Sequence, residues 1–493
     1  MVYISTRGGT SAGAAEAVLR GIAADGGLFV DPSLAQNAFD WRRCLTLDAL
    51  GIQTMLLKHL LPDIDGMDEL CRRAYVGKFE TDELTPLVKV GEDYVLELFR
   101  GPTAAFKDVA LSMLPQLVTA ARAQRGERGE CVVLTATSGD TGKAALEGFH
   151  DVAGTRIFVF YPHGGVSAIQ RAQMVTQEGK NVTVCAVRGN FDDCQTGVKQ
   201  AFAALAGDEE LLRRGISLSS ANSINIGRLA PQLGYYFIAY AELLREGRIT
   251  LGDKVDFVVP TGNFGDILAG WMAKRLGLPV GRLVCASNAN RVLTDFFETG
   301  VYDRRRDFFR TDSPSMDILV SSNLERLLFY VSDGDCALVR SCMEQLAREG
   351  FYRFPEELME KLRTEFSAYC CTDAEGAETI GRLWHEEGYL CDPHTAVAVR
   401  AARDYRRERP GDTPLVILST ASPYKFPGAV LAAIGGRAEG DEYAQMDALA
   451  SLTGVPVPRG LAALREKDVL HRDVIGIGEM IPYIKTKLSE ELL

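Results

Sequence analysis

The sequence predicts an α/β fold: open, mostly parallel sheets flanked by helices, preceded by a mostly helical N-terminal region. Three observations carry the prediction. Six short runs are rich in β-branched and aromatic residues: CVVLTAT at 131–137, RIFVFY at 156–161, NVTVCAV at 181–187, VDFVVP at 255–260, RLVCAS at 282–287 and LVILST at 415–420. Such near-continuous apolar strands suit a parallel sheet covered on both faces. Helix-length segments separate most of the runs, as crossover connections between parallel strands require. Finally, strand-to-helix junctions rich in Gly, Ser, Thr and Asn lie at the carboxyl ends of strands, where open sheets of this kind bind ligands.

Taken in chain order, residues 1–95 read as mostly helical, with breaks at Gly26-Gly27, Pro62 and Gly66. Leu56, Leu57, Leu60 and Leu61 form the apolar stripe of an amphipathic helix there. Residues 96–435 form the α/β region, with a smaller subdomain at about 130–210. A helical insertion with solvated charged faces is expected at about 300–375, where DRRRDFF and NLERLLFY stand. Residues 436–493 read as a helical C-terminal extension.

Composition excludes several classes. A hydrophobic fraction of 46% with 24% charged residues is that of a folded soluble chain, not of a disordered one. The balance of 54 Lys+Arg against 66 Asp+Glu, net −12, argues against a broad nucleic-acid surface. The 11 cysteines show no CxxC pair or repeating spacing, so free thiols in a reducing cytoplasm are expected. No basic head precedes an apolar core at the N-terminus, and no run of about 18 uncharged apolar residues occurs, so neither secretion nor membrane insertion is expected. The 6 histidines show no HExxH pattern; surface or core roles are expected for them, and no metal site. A GxSxG nucleophile elbow is absent.

Four segments can carry chemistry. In TATSGDTGKAA (135–145), backbone amides at a helix start would bind a carboxylate or phosphate through free donors and the helix dipole. A nucleotide P-loop fails here: Thr137 stands where the leading Gly belongs, and Ala144 replaces the Mg²⁺-binding hydroxyl. In PTGNFGD (260–266), Gly262 and Gly265 allow close approach of an anion, and Asn263 can donate to it. A glycine turn that merely ends a strand would look the same. In ELFRGPTAAFKD (97–108), Pro102 suits a helix start, and Phe106, Val109, Met113, Leu114 and Leu117 stripe the helix beyond. Lys107 lies near that start; burial would make it a neutral amine able to attack a carbonyl, whereas exposure would leave it an ordinary solvated lysine. In STASPYKF (419–426), Thr420 offers a hydroxyl at the same sheet edge, or simply caps a turn.

In order, these segments resemble the threonine synthases, pyridoxal-phosphate enzymes of the tryptophan synthase β-like fold. ADGGLFV at 24–30, NSINIGRL at 222–229, SPSMDI at 313–318 and TASPYKFP at 420–427 join the set, which runs to about residue 435. Lys143 departs from it, standing where a small residue is common, and the tail beyond 436 carries no part of the likeness. The resemblance implies the cofactor pyridoxal 5'-phosphate, with Lys107 as the Schiff-base lysine and proton shuttle. Gly262, Asn263, Phe264, Gly265 and Asp266 would cradle the cofactor phosphate, and Thr420 would meet the pyridine nitrogen. Ser138, Gly139, Asp140 and Thr141 would hold the substrate carboxylate, and Asn222, Ser223 and Arg228 the substrate phosphate. The implied reaction is that of a lyase in threonine biosynthesis: O-phospho-L-homoserine and water give L-threonine and phosphate by β,γ-elimination and β-addition. A phospho-lyase, a threonine or serine dehydratase, or a catalytically silent binding protein of the same fold are the alternatives. A monomer is expected rather than a dimer.

Overall fold

The computed structural model describes residues 2–490; Met1 and residues 491–493, the ends of the two expected terminal regions, lie outside it. The N-terminal region opens with an antiparallel sheet of β1 (Tyr3–Ser5), β2 (Ser11–Ala12) and β3 (Phe29–Val30). Asp25 of ADGGLFV organises it, accepting from the Ser5 hydroxyl and from the amides of Gly9 and Gly27. The Leu56–Leu61 stripe falls on the helix Ala49–Leu60 and its C-cap, and all four leucines are fully buried. The region also supplies strands: β4 (Leu87–Val90) and β5 (Asp93–Glu97) form an antiparallel hairpin, and β5 crosses the expected boundary at 95.

Two larger sheets follow. The smaller contains β6 (Cys131–Ala136), β7 (Thr155–Pro162), β8 (Val182–Arg188) and β9 (Ser217–Ser219). The larger contains β10 (Val255–Pro260) and β11 (Val280–Ser287). After a hairpin of β12 (Val301–Asp303) and β13 (Phe351–Arg353) come β14 (Phe366–Cys370), β15 (Leu415–Ser419) and finally β16 (Val474–Gly476). Strand order in the larger sheet is β14-β11-β10-β15-β5-β4, parallel except at β4; in the smaller it is β16-β8-β7-β6-β9, all parallel. All six sequence runs lie on these strands. The mixed sheets flanked by helices match the expected fold class.

Two expectations about charged or terminal segments change. The insertion is not purely helical, since it contributes β12, β13 and β14, and not all of its charge is solvated: Arg326 is buried, donating to the carbonyls of Phe29 (3.0 Å) and Ile224 (2.6 Å). Carbonyls of two distant loops are tied by this one guanidinium fork, which charge counting cannot reveal. The tail is not purely helical either, since β16 extends the small sheet beside β8. Met480, Ile484 and Leu488 of the last helix (Met480–Ser489) then bury against that sheet's helix-covered face. At about 2 kcal/mol per buried side chain, the three contribute about 6 kcal/mol as an upper estimate.

The helix Lys107–Gln124 passes through the centre of the molecule, with fourteen of its 18 residues buried. It begins five residues after Pro102, not at it. The Asp108 carboxylate folds back to accept from the Thr103 amide (2.9 Å) and the Thr103 hydroxyl, which holds 101–106 as a tight turn. Gly101 is required there, because a Cβ would stand 2.5 Å from Asp108 Cβ. Among the described residues no helix is long and apolar enough to cross a membrane, and no cluster of His, Cys, Asp or Glu could hold a metal ion. All 11 cysteines are unpaired.

Candidate active site

Lys107 and Thr420 come from separate parts of the chain and are brought together by backbone. β5 and β15 are parallel neighbours, and the loops leaving their carboxyl ends stay paired. Leu98 N–H donates to Ser419 O (2.9 Å), Phe106 N–H to Thr420 O (2.8 Å), and Ser422 N–H to Ala104 O (3.1 Å). Ala104 takes a left-handed φ of 57° to make this possible, a strain that tertiary pairing must hold. Thr420 is buried, and its hydroxyl has no protein partner among the described residues.

The Lys107 ammonium is buried beside the Phe106 ring. Nζ lies 3.3 Å from Ser315 Oγ and 3.5 Å from Asp140 Oδ2. Burial lowers its pKa to about 8, opposed by the Asp140 carboxylate and assisted by the positive charges of Lys425 and Arg228. The bland alternative of a solvated lysine is therefore excluded. Asp140 is buried as well; desolvation would raise its carboxyl, but Lys425 and Lys107 hold it well below the usual carboxylate range. Its Oδ1 accepts from Lys425 Nζ (2.6 Å) and Gln170 Nε2 (3.0 Å). The Asp140 side chain is thus a partner of lysines, and only its backbone amide can face a substrate carboxylate.

The turn that carries Asp140 is shaped by Thr137, whose Oγ1 accepts from the amides of Gly139 (2.9 Å) and Gly142 (2.8 Å). Gly139 has φ 140°, and a Cβ there would stand 2.5 Å from the Gln170 amide. Ser138, Asp140 and Thr141 keep their N–H groups free of protein acceptors among the described residues, at the start of the helix Asp140–Phe149. Lys143 is turned to Glu147 (3.0 Å) and Gln177, so its departure from the resemblance leaves the turn unchanged.

The 262–266 loop ends β10 and starts the helix Gly265–Arg275. The amides of Gly262, Asn263, Phe264 and Gly265 have no protein acceptor among the described residues, and the helix dipole points at them. Phe264 sits at φ 62°, its ring packed against Phe297 and Phe366, which anchors the turn. A Cβ on Gly262 would lie 2.7 Å from the Ser315 carbonyl, so the loop and Ser315 approach as closely as backbone permits. The Asp266 carboxylate accepts from Tyr235 (2.6 Å) and Tyr236 (3.0 Å), and burial raises it to about 7. Its side chain serves those tyrosines; only its amide belongs to the loop.

Arg228 completes the enclosure. Its guanidinium is buried, with Nη1 donating to Ala221 O (2.7 Å) and Nη2 reaching Thr141 Oγ1 (3.5 Å). No carboxylate pairs with it among the described residues, and burial lowers its pKa to about 10. An unpaired buried cation is the electrostatic complement of an absent anion. Asn222 and Ser223 are half-buried on the approach to Arg228. Asn323 Nδ2 joins the Ser223 carbonyl (3.2 Å) to that of Asn263 (3.0 Å), so the two loops share one fastener.

The sequence reading missed three contributors. Lys425 stands in the STASPYKF segment and Ser315 in SPSMDI, and nothing local in either segment marks them for a role. His394 has the core role expected of the histidines, being fully buried, and it also supports Ser315 at the site. Its Nδ1 meets Asp392 Oδ2 (2.5 Å), and its Nε2 accepts from the Ser315 amide (3.1 Å). Asp392 two residues before a histidine was the available signal, but such spacing is common at helix starts.

The arrangement is a buried lysine of lowered pKa, two amide cradles and a buried guanidinium at the carboxyl ends of parallel strands. The family model for "Pyridoxal-phosphate dependent enzyme" matches residues 82–420, and the chain belongs to that class. The residues fit such a cofactor: an amine to bond an aldehyde, free amides at a helix start to take a phosphate, and an unpartnered hydroxyl at Thr420. The model for "Threonine synthase, C-terminal" matches 395–469, past the point where the sequence resemblance ends. The chain is 40% identical to the threonine synthase of Pseudomonas aeruginosa over 438 residues, 87% of this chain and 90% of that protein. It is 38% identical to threonine synthase-like 1 of Macaca fascicularis over 85% of this chain, spanning 58% of that longer protein. The crystal structure of PLP-bound threonine synthase from Brucella melitensis superposes with a TM-score of 0.86 at 37% identity, covering 99% of this chain and 98% of that one. Within its class, the chain belongs to the threonine synthase family.

Proposed function

We propose that this chain converts O-phospho-L-homoserine and water to L-threonine and phosphate, with Lys107 as its covalent cofactor lysine. The observation that supports this most is Arg228, a buried cation with no carboxylate partner among the described residues, on the same enclosure as a buried amine of lowered pKa. A phosphorylated amino acid brings the anion that Arg228 lacks. The Gly262–Asp266 amides would hold the cofactor phosphate, and the Thr420 hydroxyl its ring nitrogen. When bound, pyridoxal phosphate supplies an electron sink for charge developing at the substrate's Cα and Cβ.

The chain's own residues do the rest. The Ser138, Gly139, Asp140 and Thr141 turn orients the substrate carboxylate by its amides and the Thr141 hydroxyl. Asn222, Ser223 and Arg228 hold the phosphate, and the guanidinium favours charge gathering on the departing group. Lys107, with a pKa of about 8, gives and takes protons near neutral pH, as a general acid-base must. The Thr420 hydroxyl, being neutral, would not enforce protonation of the ring nitrogen as a carboxylate would.

Incubation with O-phospho-L-homoserine, following phosphate and threonine together, tests the reaction. Equal amounts support it; a 2-oxo acid with ammonia, or phosphate without threonine, overturns it in favour of a dehydratase or a phospho-lyase that eliminates without hydration. Borohydride reduction of the holoenzyme followed by peptide mapping tests the lysine, and an adduct anywhere but position 107 refutes that assignment. The free cysteines support a reducing compartment such as the cytoplasm, and we place the chain there as a monomer; sedimentation at micromolar concentration tests the latter.

A further inference from the structure

The site holds two buried lysines, and only one can be the lysine that bonds an aldehyde. We propose that Lys425 is a positioning residue that claims the Asp140 carboxylate and thereby leaves Lys107 as the neutral amine of the pair. Lys425 is fully buried in the turn Pro423–Lys425. Its Nζ lies 2.6 Å from Asp140 Oδ1 and donates to the Thr103 carbonyl (3.2 Å). Lys107 reaches only the other carboxylate oxygen, at 3.5 Å, and shares it with Ser315 Oγ at 3.4 Å. Gln170 Nε2 pins the Lys425 side of the carboxylate at 3.0 Å. Asp140 is therefore an asymmetric bridge, tight on Lys425 and loose on Lys107.

The charge count explains the consequence. One buried carboxylate can stabilise one buried ammonium well; a second buried ammonium must lose its proton readily, because desolvation penalises the charged form. The charged groups facing Lys107 are Asp140, Lys425, Arg228 and, from the helix Gly265–Arg275, Asp266. His394 acts on Asp140, and Asp108 on Lys425, from the adjoining elements. Of these, Asp140 alone lies within contact of both amines, so it decides which amine keeps its proton. A primary amine attacks an aldehyde only through its free electron pair, and so the less well paired lysine is the nucleophile.

This inference rests on Lys107 as the cofactor lysine, but its test does not use activity. Competitive acetylation of the cofactor-free chain with trace acetic anhydride across pH, read by peptide mass spectrometry, reports the fraction of each lysine that is neutral. In the unaltered chain Lys107 should label at lower pH than Lys425; the reverse order overturns the proposal. Lys425→Met gives Asp140 wholly to Lys107 and should raise the Lys107 midpoint by about one pH unit or more. Asp140→Asn removes the anion and should lower it by a similar amount. Shifts of opposite sign support the proposal, whereas no shift or shifts of one sign refute it. Should Lys425→Met not fold, the order in the unaltered chain and the sign for Asp140→Asn decide alone. Borohydride mapping of the holoenzyme fails separately, since it reports which lysine is modified and nothing about Asp140.

Discussion

Arg228→Met should make the cofactor-free protein more stable and the enzyme far worse. Burial lowers the guanidinium from its ordinary value to about 10, more than two units. At 1.36 kcal/mol per unit this corresponds to about 3 kcal/mol of lost solvation. Methionine removes that penalty with a side chain of similar reach, but it forfeits the hydrogen bond to Ala221 O, about 1 kcal/mol. The net expectation is a gain of about 1–2 kcal/mol, or a few degrees in Tm for a chain of this size. The substrate phosphate would lose its charge-assisted partner, costing about 2–5 kcal/mol and lowering kcat/KM thirty-fold or more. Calorimetry of the cofactor-free chain and steady-state kinetics with O-phospho-L-homoserine measure the two. A lower Tm together with unchanged kcat/KM would show Arg228 to be a structural residue and refute the reasoning.

Three further substitutions separate conformation from charge. Gly262→Ala puts a Cβ 2.7 Å from the Ser315 carbonyl and 3.5 Å from Met316 Cα, both backbone, whereas Gly265→Ala meets nothing closer than Asn323 Nδ2 at 3.4 Å. Overpacking against backbone costs about 1–3 kcal/mol, so Gly262→Ala should weaken pyridoxal phosphate binding about tenfold or more while Gly265→Ala is milder; equal Kd values by fluorescence titration would sink this account of the loop. Asp266, raised from 3.8 to about 7 by burial, keeps its proton in the fold over a range where the unfolded chain has lost it. Its contribution is therefore fully present below about pH 4 and is lost as pH rises through 7. Asp266→Asn keeps the shape and removes the titration, so urea midpoints of the cofactor-free chain should match the parent at pH 4 and exceed it at pH 8. By linkage the difference at pH 8 is of the order of 4 kcal/mol, and parallel profiles would refute it.

The local problem was solvable from the residues alone. Buried parallel strands need near-continuous apolar runs, so all six announced themselves, and glycine-rich turns at their carboxyl ends marked where to look for a ligand. Resemblance, which depends on order along the chain, then supplied the family and the candidate residues. The side-chain partners were beyond reach because they depend on which distant loops meet. Asp140 reads as part of an amide turn in sequence, yet its carboxylate ends between two lysines 33 and 285 positions away. His394 and Ser315 are 79 apart and joined by one hydrogen bond. Likewise the charge-rich insertion hides the buried Arg326, and the tail conceals an edge strand, since a guanidinium's burial and a short strand's pairing both depend on partners supplied from elsewhere in the chain. Pattern along the chain encodes which segments become strands and turns, because periodicity and backbone preference are local. Which amine loses its proton is decided by the packed fold, where desolvation and one shared carboxylate set the charge.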